Sequence, residues 1–180
     1  MAKKIVVLLG SPRKNGNTEI LAEAFIRGAE AAGNTVAGIT LQQLEINCCR
    51  DCKYCVNHNG ECVQKDGMSE VYPALYQADV LVLASPIYFS GFTAQIKKVI
   101  DRMYTMLGKE FPITASVLLA PYADTDTAVP GPIIAHYKAL ARYMKWENKG
   151  IITVPGLYQR GDIINHPSLA EAEHLGYSIT

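Results

Sequence analysis

Along the chain, apolar β-branched runs alternate with segments of helical spacing. Lys4–Leu9 is a short apolar run ending at Gly10, as expected of a strand buried on both faces. From Asn17 to Ala32, the residues Leu21, Ala24, Phe25 and Ala32 recur at helical intervals. Gly28 falls on the same face, where a missing side chain allows close packing, and Gly33-Asn34 supplies a stop. Thr35–Leu41 predicts a second strand. Met68–Gln77 predicts a helix, against which Pro73 counts. Asp79–Ala84 is another fully buried strand, followed at once by Ser85-Pro86. Thr93–Leu107 places Ile96, Val99, Ile100 and Met103 on one helical face. Ser116–Ala120, Pro132–Trp146, Gly150–Val154 and Ser168–Gly176 then read as strand, helix, strand and helix.

Such alternation implies right-handed crossovers and a mostly parallel sheet covered on both faces. The prediction is one α/β domain over residues 1–180, doubly wound, with five strands in the order 2-1-3-4-5. A polar, cysteine-rich stretch without period, about 45–66, is inserted after the second strand.

In sheets of this kind, ligands bind in the crevice past the strand C-termini. Two loops fall there. GSPRKNGNT, from Gly10 to Thr18, joins the first strand to the first helix, whose N-terminus attracts a phosphate. Ser11, Arg13, Asn17 and Thr18 are its candidate phosphate contacts. Neither the Walker spacing nor G-x-G-x-x-G is present. SPIYFSG, from Ser85 to Gly91, follows the third strand. There Pro86, Ile87, Tyr88 and Phe89 offer backbone groups and aromatic surface to a heterocycle. Each loop alone also fits a plainer role, a capped turn or a covered sheet end.

Composition then narrows the function. Lys plus Arg is 17 and Asp plus Glu is 17, so the formal charge is zero. That argues against nucleic acid and against an anionic membrane surface, both of which select a basic face. All five cysteines lie between Cys48 and Cys62. The N-terminal apolar run is too short for a signal peptide, so the expected setting is the cytoplasm. There, clustered cysteines serve metals or redox chemistry more often than disulfides. The spacing Cys49-x2-Cys52-x2-Cys55-x6-Cys62 suits a [4Fe–4S] cluster, with Cys48 left over. Zinc and unliganded thiols remain open on spacing alone. The histidines His58, His136, His166 and His174 share no metal spacing.

GSPRKNGNT and SPIYFSGFTAQIKKVIDR resemble the NAD(P)H-dependent FMN reductases of the flavodoxin-like superfamily. CCRDCKYCVNHNGECVQKDGM resembles its iron–sulfur flavoprotein branch. The resemblance covers roughly residues 4–105. It implies a flavodoxin-like fold and a non-covalent FMN, with its phosphate on the first loop and its isoalloxazine on Pro86–Phe89. A third flavin loop is expected near Pro121 and Tyr122. NAD(P)H would be the hydride donor and a small molecule or protein the electron acceptor, with no side chain acting as acid or base. Relatives often read Asp-Asp-Met where this chain has Asp66-Gly67-Met68, leaving Asp66 as the helix cap. The exposed insertion suggests a homodimer or homotetramer. Two other readings compete. A flavodoxin-type electron carrier is disfavoured by the zero net charge, since carriers dock through acidic surfaces. A flavin-free protein working through its cysteines is the other.

Overall fold

The computed structural model describes residues 1–180. Its strands are β1 (Lys4–Leu9), β2 (Thr35–Thr40), β3 (Val80–Ala84), β4 (Ala115–Pro121) and β5 (Glu147–Val154). They pair in parallel in the order β2-β1-β3-β4-β5. The helices are α1 (Asn17–Ala31), α2 (Tyr54–Asn57), α3 (Met68–Leu75), α4 (Ala94–Arg102), α5 (Gly131–Met144) and α6 (Ser168–Tyr177). This is the doubly wound, flavodoxin-like arrangement.

Alternation of side chains along each strand explains why the central runs are apolar throughout. Val6, Leu8, Leu81, Leu83, Leu118 and Ala120 point to the layer that holds α3, α4 and α5. Ile5, Val7, Val80, Val82, Val117 and Leu119 point to the layer that holds α1 and α6. β2 lies at the sheet edge and is correspondingly half-exposed.

Boundaries differ from expectation where local chemistry intervenes. The predicted 93–107 helix is α-helical only to Arg102 and tightens into a 3₁₀ turn over Met103–Leu107. α5 stops at Met144 because Lys145 turns left-handed (φ 59°), and Trp146 leaves the helix to enter the core. β5 starts three residues before Gly150, and the register shift opposite Ser116/Val117 absorbs the irregular start. Pro73 falls inside α3, which runs for only 8 residues.

α1 and α6 cross backbone to backbone. A Cβ at Gly28 would lie 1.8 Å from the Glu173 carbonyl oxygen, and one at Gly176 would lie 2.0 Å from that of Phe25. Neither contact can be relieved by a rotamer change. Gly176→Ala must therefore push the helices apart, and is expected to lower stability by about 1–3 kcal/mol. A lower urea midpoint at unchanged slope would show it. A midpoint equal to the wild type would mean that the crossing has slack.

Candidate functional site

The C-terminal ends of β1, β3 and β4 open onto a crevice of ≈ 120 Å³ lined by three loops. Ser11, Arg13, Asn17 and Thr18 form one wall, and Pro86, Ile87 and Tyr88 the second. Pro121, Tyr122 and Ala123 come from the loop after β4, with Leu157 and Tyr158 beside them. No side chain caps α1, so its first-turn N–H groups are open toward this wall. The two loops are tied together below the crevice. The Thr93 hydroxyl donates to the Gly10 carbonyl at 2.8 Å, and the Thr93 N–H donates to Ser85 Oγ at 3.1 Å. Burial, with Asp126 and Asp124 adding to it, pushes the Tyr122 phenol above its ordinary value.

Phe89 stands apart from its expected neighbours. Tyr88 and Gly91 exchange two backbone hydrogen bonds around a tight turn. Its central residues Phe89 and Ser90 have φ 46° and 64°, the pattern of a type I′ turn without its usual glycine or asparagine. The turn lifts the Phe89 ring fully into solvent, away from the crevice.

Asn17 is also occupied otherwise than expected. Its Nδ2 donates to the carbonyls of Gln159 at 2.7 Å and Leu157 at 3.4 Å. Its Oδ1 accepts from the N–H groups of Gly161 at 3.0 Å and Ile163 at 3.3 Å. Both donors and the acceptor oxygen are therefore spent on the segment after β5. The Arg13 guanidinium donates to the Tyr158 carbonyl at 3.0 Å. This fourth wall escaped the sequence reading because it lies some 140 residues from the first loop. Its one local sign was Pro155-Gly156 and Gly161 just past a strand; both glycines adopt positive φ.

The cysteine insertion lies at the other end of α4. Cys49, Cys52, Cys55 and Cys62 all line one small cavity of ≈ 20 Å³, together with Gln64, Arg102 and Thr105. None of the five cysteines is in a disulfide, and Cys48 lies outside the cavity, exposed. No group of three or more cysteine, histidine or acidic side chains stands in coordinating geometry. The loop follows an irregular path: Asp51, Lys53 and Asn59 all have positive φ, as does Gly60. It is seated on the 3₁₀ turn by close glycine contact, since a Cβ at Gly108 would lie 2.2 Å from the Cys55 carbonyl oxygen. The Cys55 thiol is pushed up by burial first and by the neighbouring Cys62 next.

The model of the NADPH-dependent FMN reductase family matches residues 3–121. The chain belongs to that family. An iron–sulfur flavoprotein of Archaeoglobus fulgidus is 41% identical over 100 residues, 56% of this chain and 45% of that protein. A second protein of that name from the same organism is 32% identical over 152 residues, 84% of this chain and 75% of its own length. The chain thus spans less than half of the first relative. The fold agrees with the NAD(P)H:quinone oxidoreductase of Methanothermobacter marburgensis at a TM-score of 0.80 and 18% identity, over 98% of this chain and 96% of that one. No helix is long and apolar enough to cross a membrane.

The family implies FMN, and the names of the two relatives point to an iron–sulfur cluster. For FMN, the uncapped α1 terminus with Ser11, Thr18 and Arg13 suits a phosphate. Pro86, Ile87 and Tyr88 across the crevice suit a flat ring. For a cluster, the decisive observation is the distribution of unpartnered polar atoms. Three buried side-chain atoms lack a hydrogen bond: Gln64 Oε1, Arg102 Nε and Thr105 Oγ1. All three belong to residues that line the cysteine cavity. Inorganic sulfide accepts hydrogen bonds, so the donors on Arg102 and Thr105 suit a cluster better than a bare cation. The cavity as it stands holds little more than one water, and a cluster needs the exposed Asp51–Lys53 arm to give way.

Proposed function

We propose that the protein is an NAD(P)H-dependent FMN oxidoreductase that holds a [4Fe–4S] cluster on Cys49, Cys52, Cys55 and Cys62. It would pass electrons to a small-molecule or protein acceptor. The flavin half rests on the crevice, where phosphate donors and an aromatic wall meet on adjacent strands. The cluster half rests on the four thiols and the two unpartnered donors, Arg102 Nε and Thr105 Oγ1, gathered at one cavity. When bound, FMN supplies hydride acceptance and the cluster single-electron storage. The chain's own part is binding and orientation. Ser11, Thr18 and the α1 N-terminus hold a phosphate, and Asn17 and Arg13 hold the Leu157–Tyr158 wall in place. Tyr88, nearly half exposed, leaves the ring reachable by a nicotinamide. No acid or base is needed at a side chain.

The proposal extends to a cytoplasmic homo-oligomer. Support comes from an apolar cavity of ≈ 210 Å³ between α4 and α5, flanked by the exposed Leu107 and Tyr143. The test is direct. Anaerobically prepared protein should show flavin absorption bands, retain about one FMN after desalting, and oxidise NAD(P)H when an acceptor is added. It should contain about four iron and four sulfide per chain. Protein that keeps no flavin after incubation with excess FMN would overturn the first half. One zinc per chain without iron would overturn the second.

A further inference from the structure

We infer that Arg102 sets the reduction potential of the group held by the four thiolates, with Asp66 as its counterweight. The inference rests on the cluster reading above and goes beyond it. Arg102 is the bulkiest fully buried side chain of the protein, at 1% exposure. A lone apolar anchor at the end of α4 would have served packing as well and without the desolvation cost of a charge. Its guanidinium has two sides. Toward Asp66 it makes a bidentate pair, Nη1 to Oδ2 at 2.8 Å and Nη2 to Oδ1 at 3.2 Å. Toward the cysteines, Nη2 also donates to Cys62 Sγ at 3.4 Å, and Nε has no partner.

The pair is oriented. Arg102 lines the cysteine cavity, whereas Asp66 does not line it. Asp66 lies behind, fixed by the N–H groups of Asn47 at 3.0 Å and Met68 at 3.1 Å. The positive end of a buried dipole therefore faces the sulfur atoms. Hydrogen bonds to sulfur and local charge are what tune such groups. A cation held there favours uptake of one more electron.

The two charges therefore make predictions of opposite sign. Asp66→Asn removes the anion at nearly unchanged shape and keeps one of the two acceptor oxygens that hold Asn47 and Met68, so the guanidinium acts on the sulfurs unopposed and the potential rises. The double variant Asp66→Asn/Arg102→Gln removes both charges, leaving an uncharged pair of similar shape that folds even where Arg102→Gln alone does not. Its potential falls, because the lost cation was the nearer charge. Each shift is expected to be at least about tenfold in the equilibrium constant for one electron, or about 59 mV.

The measurement is an EPR-monitored redox titration of anaerobically reconstituted protein, with dithionite as reductant. The flavin couple, followed optically in the same titration, stays where it is, since the crevice lies at the opposite end of α4. Shifts of the same sign in both variants, or none in either, overturn the inference while the cluster reading stands. A movement of the flavin couple as large as that of the cluster also overturns it, as general loosening. Wild-type protein that takes up no iron and sulfide overturns the cluster reading, and the inference with it.

Discussion

Replacing Asp66 by alanine lowers the stability of the protein by about 3–5 kcal/mol at neutral pH, because it leaves a buried guanidinium without its counter-ion. The two side chains are 1% and 5% exposed, so Arg102 loses its partner in a largely dry place, with water reaching it only from the groove of ≈ 760 Å³ that Asp66 borders. The cost is a large fraction of what holds an ordinary domain folded. It falls on several elements together. Arg102 closes α4 and donates to the Asn47 carbonyl at 2.9 Å, and Asp66 leads into α3. Loss of the pair loosens the base of the cysteine loop from both sides.

The same pair gives the protein an acid limit, and its sign can be worked out. Burial alone would raise the Asp66 carboxyl; the Arg102 guanidinium and the N–H groups of Asn47 and Met68 outweigh it and hold it at about 2, below its ordinary 3.8. A carboxyl held down in the folded state contributes stability above its unfolded value and loses it as pH falls through its folded value. The Asp66 contribution is thus complete above about pH 4 and fades toward pH 2. Urea denaturation of wild type and Asp66→Ala at pH 7 and near pH 2 measures this. The gap between them should be widest at pH 7 and narrow in acid. A gap that does not change with pH would show that the carboxylate's charge contributes nothing.

How far the sequence carried the reading depended on how local each signal was. The buried strands were legible because four to six consecutive apolar residues allow little else between helical segments. Alternation gave the parallel, doubly wound sheet; the order 2-1-3-4-5 came with the flavodoxin-like resemblance, and the crevice followed from that order. Ser11 and Tyr88 were legible because each lies within a few residues of a strand end. The cysteines were legible as spacing. Arg102 was not: it sits in a charged-looking VIDR sequence on a helix whose period predicts exposure for that register. Only its partner, 36 residues earlier, explains why it is buried. Phe89 is the opposite case. An aromatic in a ligand loop reads as a wall, but the backbone turn that decides where it points is unusual for its sequence, with positive φ at a phenylalanine and a serine. Asn17 lines the expected wall, but its side chain is held by residues 157–163, which nothing near it in sequence announces.

Asn17 therefore gives the sharpest test of how the proposed flavin crevice is built. Asn17→Asp changes one donor nitrogen into oxygen with almost no change of shape. The new carboxylate faces the Gln159 and Leu157 carbonyls, at 2.7 and 3.4 Å in the parent, with two acceptors opposed instead of two hydrogen bonds. Unmatched buried groups of this kind cost about 1–3 kcal/mol. The Gly161 and Ile163 N–H groups still find an oxygen, so the segment is pulled at one end and repelled at the other. Leu157 and Tyr158 then leave the crevice, and the charge also opposes a phosphate at the α1 terminus. The expected result is an FMN dissociation constant raised about a hundredfold, near 2.7 kcal/mol. Asn17→Ala, which removes the clamp without adding charge, should weaken FMN less. Riboflavin, which lacks the phosphate, separates the two roles. A residue that only touches phosphate leaves riboflavin binding unchanged when it becomes alanine. A clamp on the wall beside the ring weakens riboflavin and FMN by similar factors. Flavin fluorescence titrations of both ligands decide between them, and unchanged riboflavin affinity in Asn17→Ala would return Asn17 to the phosphate.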